Sequence, residues 1–423
     1  MSITRGSKLR LLAAVGAIAI VAGACSSSGK SSSPTTSGSG STSATTSVNG
    51  SATTVQATGT PYKIGVISSD SGPAGTYTDI SVTVHNWVGY TNSHGGINGH
   101  PVALSYYNDQ TNPALAVSAA QSLINDHVLA VMDASFVNNA FEKQVDAAKI
   151  PVISLDGSGQ SFLYVTDPNF FADSTTVLAI IYSQLYSAHF AGSKTYALLY
   201  CSENPNCAQA VPLTKAYAAP NQIQVTYTGA VSAAAPNYTA QCLAAKSSGA
   251  TAMFTAAASS SAIERIAANC SAQGYDPVQI TASGTVPDAA LTMPGFSNVV
   301  GTVNTFPYFL NTTQATQLFH QVMDSYLSSA QRPTVVAAVW TGMAEFGAVA
   351  ANAGDTPTTQ AIYSGLYGLN GSTIGGLAPP LTFKQGQPNQ VNCFYQIKSS
   401  NGKYVAVNGD QSTCVNPPAI PGL

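Results

Sequence analysis

From residue 62 onward, short and nearly unbroken apolar runs alternate with longer stretches whose apolar residues recur every three or four positions. YKIGVIS at 62–68 predicts a strand buried on both faces, and DISVTVHNWVGYTNSHGG at 79–96 predicts a helix closed by two glycines that tolerate left-handed backbone. The alternation repeats. PVALSYYN reads as a strand ending at Asp109, and Pro113 opens a helix over ALAVSAAQSLINDH. LAVMDA is a strand, NAFEKQVDAAKI a helix and PVISLDG a strand. A second series starts with the helical TTVLAIIYSQLYSAHF and places the strands TYALLYCS, IQVTYTG, TAMFTAAA and VQITASG between the helices CAQAVPLTKAYAA, YTAQCLAAKSSG and SSSAIERIAANCSAQG. Buried strands alternating with helices imply parallel sheets with right-handed crossovers. Two such series imply an α/β chain of two doubly wound, Rossmann-like lobes.

The pattern changes at VVGTVNTFPYF. Two helices follow, TTQATQLFHQVMDSYLSS and PTVVAAVWTGMAEFGAVAANAG, which are expected to return to the first lobe. The last stretch, LTFKQGQPNQVNCFYQIKSSNGKYVAV, reads as antiparallel strands around an Asn-Gly turn.

The first 24 residues have a different character: Arg5, Lys8 and Arg10, no acid, then the apolar run LLAAVGAIAIVAGA. This is a signal peptide, since the run is shorter than the roughly 20 residues that a spanning helix needs. Val21-Ala22-Gly23-Ala24-Cys25 resembles a bacterial lipobox, with Ala22 where Leu is usual, so Cys25 is expected to carry lipid and anchor the chain to the outer face of the cell membrane. Residues 25–60 are mostly Ser, Thr, Gly and Ala, which cannot bury a core and are expected to form a flexible tether. Loss of the leader leaves 12 basic against 18 acidic side chains, a charge of −6, with no basic stripe to attract nucleic acid. Six cysteines remain besides Cys25. In an exported chain they favour disulfides, with fifteen possible connectivities; sequential pairing, Cys201–Cys207, Cys242–Cys270 and Cys393–Cys414, is the simplest because each pair sits in one local segment. No CxxC or paired His accompanies them to suggest a metal.

YKIGVISSDSGPAGTY, GGINGHPVALSYYNDQTNPALAVSAAQSLI, PVISLDGSG and the stretch from Cys393 to Val407 together resemble the leucine/isoleucine/valine-binding-protein family. These are the substrate-binding components of branched-chain amino-acid ABC importers. The similarity spans about residues 61–410, strongest in the first lobe and weak after Ser202. It implies a type I periplasmic-binding-protein fold, with two lobes joined by a three-segment hinge and closing on a small ligand. The lobes are then expected at 61–172 with 304–382, and at 173–303 with 383–423.

In open α/β sheets ligands sit beyond the carboxyl ends of the strands. Here those ends are 71–77, 136–139, 156–159, 201–206, 256–261 and 282–285, all rich in small polar residues. Carried over, the resemblance implies that Tyr77 covers the ligand, Asn138 and Asn139 hold its carboxylate, Gly157 and Ser158 meet its ammonium group, and Asp173 faces that ammonium. A core aromatic would equally account for Tyr77, a turn for the asparagines and a helix N-cap for Asp173. Ser283 or Gly284 stands where many family members have a second acid, and the other groups expected at the cleft, such as Ser259, are neutral. Without a second charged partner a buried ammonium is costly. The ligand expected is therefore a small, neutral or weakly anionic polar molecule such as an amide, a carboxylate or a hydroxylated compound, with amino acids second. No GxSxG, HExxH or Walker A pattern occurs, only four Glu are present, and no cofactor motif stands out. The expectation is a monomeric, lipid-anchored, non-enzymatic solute-binding protein whose partners are its ligand and the permease of an ABC importer. A ligand sensor without transport and a secreted hydrolase are the alternatives.

Overall fold

The computed structural model describes residues 56–72, 78–155, 161–203, 205–256, 259–354 and 356–420. Cys25 and the segment expected to be a signal peptide lie outside them. Just before the first strand the Gly59 N–H donates to the Gly99 carbonyl at 2.9 Å.

The first series runs β1 (Tyr62–Ser68), α1 (Thr78–Ser93), β2 (Val102–Asn108), α2 (Pro113–Asn125), β3 (Ala130–Ala134), α3 (Glu142–Ala148), β4 (Val152–Ser154), α4 (Leu163–Thr166) and β5 (Phe170–Phe171). Its strands pair in parallel in the order β2-β1-β3-β4-β5. The second series runs α5 (Val177–Phe190), β6 (Thr195–Cys201), α6 (Pro205–Ala218), β7 (Gln224–Val231), α7 (Thr239–Ser247), β8 (Ala252–Ala256), α8 (Ser260–Ala272), β9 (Val278–Ala282) and β10 (Val299–Val303). After it come α9 (Gln314–Leu327), α10 (Pro333–Ala350), α11 (Thr359–Gly368), β11 (Asn370–Ser372), β12 (Leu381–Thr382), β13 (Cys393–Ser400), β14 (Lys403–Ala406) and β15 (Thr413–Cys414).

The second sheet has the order β14-β13-β10-β9-β8-β6-β7, with β15 paired to β13. Strands β6 to β10 are parallel; β13, β14 and β15 are antiparallel additions on one side. The β13–β14 hairpin turns at Asn401 and Gly402, both with positive φ (51° and 70°), as an Asn-Gly turn requires. At the change of pattern VVGTV forms a strand, β10. One expectation is corrected here: β12 pairs not with the terminal hairpin but with β11. The sequence pattern also passed over α4, β5 and α11.

The chain crosses between the sheets three times, at 172–176, 304–313 and 383–392. Thr175 and Thr176 tie these crossings together. The Thr175 hydroxyl donates to the carbonyls of Asn304 (3.1 Å) and Cys393 (2.6 Å), and the Thr176 N–H and hydroxyl both reach the Val391 carbonyl, at 2.9 and 3.1 Å. The result is the two-lobed type I periplasmic-binding-protein architecture with a three-segment hinge.

The first core is one continuous cluster drawing on the first sheet, α1, α2, α9, α10 and α11. Helix α10 is long and apolar enough to cross a membrane, yet most of its length is buried in this core, which identifies it as an internal helix. It passes over the end of β4 at Gly342, where an added Cβ would lie 2.2 Å from the Ser154 carbonyl. The second lobe instead holds three smaller clusters. All three disulfides, Cys201–Cys207, Cys242–Cys270 and Cys393–Cys414, begin or end on elements of this lobe.

Candidate functional site

The carboxyl ends of β1, β2 and β3 are stitched together by two completely buried acids, Asp109 and Asp133. Asp109 accepts from the Ser69 hydroxyl (2.7 Å), the Thr111 N–H (2.8 Å) and the Ser135 hydroxyl. Asp133 accepts from the Ser135 N–H (2.9 Å), the Asn138 amide (2.8 Å) and the Tyr164 hydroxyl of α4 (2.7 Å). Several donors around one buried carboxylate replace the water it lost, so both acids serve to hold loops in position. Asp70 lies at the edge of this row and accepts from Ser68 (2.6 Å) and Tyr106 (2.8 Å). Burial pushes its carboxyl above the ordinary value, against the opposing effect of those two hydrogen bonds.

The adjacent strand ends of the second lobe carry neutral groups. Ser259 caps α8, its hydroxyl accepting from the Ala262 N–H at 3.3 Å. Ser283 has left-handed backbone (φ 53°), and its hydroxyl accepts from the Asn304 amide at 2.7 Å. Next to it, Gly284 (φ 68°) faces the Thr334 hydroxyl so closely that an added Cβ would overlap it. The first turn of α10 thus abuts the end of β9. Ser283, Asn304, Thr305 and Thr334 border a space of about 10 Å³, about the size of one water molecule.

Of the residues expected to bind ligand, Tyr77, Gly157 and Ser158 lie outside the described residues. Asn138 is buried and its amide is used internally, donating to Asp133 and accepting from the Ser161 hydroxyl at 3.0 Å; Asn139 beside it is exposed. Asp173 is wholly buried in the first crossing, with Ser174 donating to it at 2.9 Å. It is not an N-cap: that position before α5 belongs to Thr176, three residues further on, whose backbone is extended. Glu345 of α10 lies near Asp173, and burial first, then the like charge of Asp173, pushes its carboxyl well above the ordinary value. Neither Glu345 oxygen has a hydrogen-bond partner. Glu203 is exposed and turned toward β7, accepting from the Ser232 hydroxyl (2.8 Å) and the Ala233 N–H (2.6 Å). The sequence reading passed over Asp133, Ser135, Tyr164, Asn304 and Thr334. An Asp inside the apolar run LAVMDA was the available signal for Asp133, since a lone acid in a buried strand must find donors.

Among the described residues, one group of carboxylates is close enough to share a cation, Glu142, Asp146 and Asp167, with oxygens within 4.8 Å of one another. Asn169 already donates to Asp146 and Asp167, and the group lies away from the strand ends.

The geometry is that of two rows of polar strand ends joined by a hinge. Residues 61–403 match the family model described as periplasmic binding protein. The chain belongs to that family. Solved structures with the same fold include a fatty acid ABC transporter substrate-binding protein from Thermomonospora curvata, 16% identical, with a TM-score of 0.65, covering 84% of this chain and 93% of that one. A solute-binding protein of an ABC transporter from R. palustris in complex with benzoate is 15% identical, with a TM-score of 0.67 and coverage of 84% and 98%. A branched-chain amino acid ABC transporter protein from Thermus thermophilus with bound valine is 13% identical, with a TM-score of 0.68 and coverage of 82% and 96%. A search of curated proteins finds no match. At these identities the structures establish that this periplasmic binding protein shares their fold.

Proposed function

We propose that this periplasmic binding protein is a lipoprotein, anchored through Cys25, that captures a small neutral or weakly anionic polar molecule between its lobes and delivers it to an ABC importer. The lobes are taken as 61–172 with 304–382 and 173–303 with 383–423, the ligand lying between their strand ends. One observation carries the ligand class. The acids of the first row, Asp109 and Asp133, are occupied by the protein's own donors, and the second row carries neutral groups, the Ser259 and Ser283 hydroxyls and the Asn304 amide that bonds to Ser283. Such a site has hydrogen bonds to give a carboxylate, an amide or a hydroxyl, and little free negative charge for an ammonium group. Relatives in fold titled for fatty acid transport and for a benzoate complex are consistent with a carboxylate.

Native mass spectrometry of the protein purified from its own host tests capture. A binder retains a small molecule and releases it chemically unchanged on unfolding, whereas a hydrolase converts candidate substrates. Fractionating a Cys25→Ser variant tests the anchor: the variant is expected in the soluble fraction, and undiminished membrane retention contradicts a lipid on Cys25.

A further inference from the structure

The C-terminal segment after β15 lies beside the hinge, against the third crossing. It is held at its start by the Cys393–Cys414 disulfide and by the Val415 N–H, which donates to the Asn392 carbonyl of the third crossing at 2.9 Å. From there Pro417 and Pro418 keep it extended, and Ile420 packs against the second-lobe cluster that contains Val177 and Ile180 of α5. Between this segment, α4, α5 and the third crossing lies a cavity of about 200 Å³, walled by Phe162, Val165, Leu178, Asn392, Pro417 and Ile420.

Helix α4 connects this corner to the candidate site. It is a single turn whose neighbouring residues belong to different cores: Tyr164 is buried in the first, Val165 in the second. The Tyr164 hydroxyl donates to Asp133, and Ser161, just before the turn, donates to Asn138. A shift of α4 therefore disturbs the first row of strand ends directly.

We propose that residues 415–420 act as a brace beside the hinge, holding α4 against α5 and the third crossing, and so limit how far the lobes separate. Like the proposed function, this rests on movement between the lobes, but the brace needs no particular ligand. The tail lines a joint whose other walls are α4, α5 and the third crossing, and among the described residues it is fixed to the second lobe in two ways, covalently at Cys414 and by apolar contact at Ile420. The contact at Ile420 is thus the part that can release.

The test compares the mature chain with two variants, one ending at Asn416 and one full-length with Ile420→Asp, by amide hydrogen exchange and small-angle scattering without added ligand. In both variants the amides of Asp167 and Thr176, bonded to Leu163 and Val391, are expected to exchange on the order of tenfold faster, and the radius of gyration to rise. Amides of β1 and β3 are expected to keep their protection. Unchanged exchange at Asp167 and Thr176 in both variants, or equal acceleration throughout the chain, overturns the brace. Ligand capture is read separately by mass spectrometry, so either result leaves the proposed function to its own test.

Discussion

The two lobes share a topology and are held together differently. The first has one continuous core, with Trp340 of α10 fully enclosed and set edge-on to Phe319 at 5.8 Å, and no disulfide within it. The second divides its apolar residues among three clusters, and the disulfides lie there. Cys242 and Cys270 are themselves members of one small cluster, joining α7 and α8 over β8. Small cores give little burial energy per residue, and cross-links that restrict the unfolded chain compensate. The lesson is that one fold can be stabilised mainly by packing in one half and partly by covalent closure in the other.

The sharpest way to break this contrast is to remove packing from the first lobe. Trp340→Ala is expected to cost about 3–5 kcal/mol in denaturant unfolding, while a reductant leaves hydrogen exchange in the first sheet unchanged. Removing the 28-residue closure with Cys242→Ala and Cys270→Ala is expected to cost about 3–4 kcal/mol, with faster exchange confined to α7, α8 and β8. A loss spread evenly over both lobes would end the comparison.

The strand-end rows differ as well, and Asp133→Asn probes that difference. It replaces one acceptor oxygen among the Ser135, Asn138 and Tyr164 donors, so a stability loss of about 1–3 kcal/mol and weaker ligand retention are expected. Ser259→Ala removes a cap worth about 1 kcal/mol together with one hydroxyl proposed for the ligand, so a smaller stability loss and weaker ligand retention are expected.

The pH-dependent effect concerns Glu345, at the junction of first core and hinge. Its carboxyl keeps a proton in the folded chain after the unfolded chain has released one, because burial and then Asp173 raise it. The folded state then binds more protons, so stability is greatest below the ordinary carboxylate range. It falls as pH rises above that range, by up to about 1.4 kcal/mol per unit, until the raised value is reached. Glu345→Gln is expected to flatten this slope in urea midpoints measured at pH 5 and pH 8. An unchanged slope would mean that the pair is solvated.

The alternation of apolar runs made both lobes legible because most long strands and helices carry their own period, the ten-residue α11 excepted. Elements without room for a period were not legible: α4 has four residues, β5 two, and β11 is Asn-Gly-Ser, which has no strand preference. The site divides in the same way. The ends of β8 and β9 were legible, which allowed Ser259 and Ser283 to be placed just beyond them. Asn138 was expected to hold ligand, yet its amide is taken by Asp133, which also engages Tyr164 from 31 residues downstream. Thr334 reaches the end of β9 only because α10 returns from beyond the hinge, close against Gly284. Such long-range partners leave no local trace.

The account rests on a cleft whose second-lobe groups are neutral, and a thermal-shift panel tests that most directly. The panel contains benzoate and short aliphatic carboxylates, their amides, polyols, and leucine, isoleucine and valine. A ligand that binds only the folded chain adds about 2.7 kcal/mol at a hundredfold excess over its dissociation constant. The largest shift is expected from a carboxylate, amide or hydroxylated compound without an amine, and it should persist in Asp173→Asn. A largest shift from leucine, isoleucine or valine that disappears in Asp173→Asn would contradict the account and make Asp173 the ammonium partner.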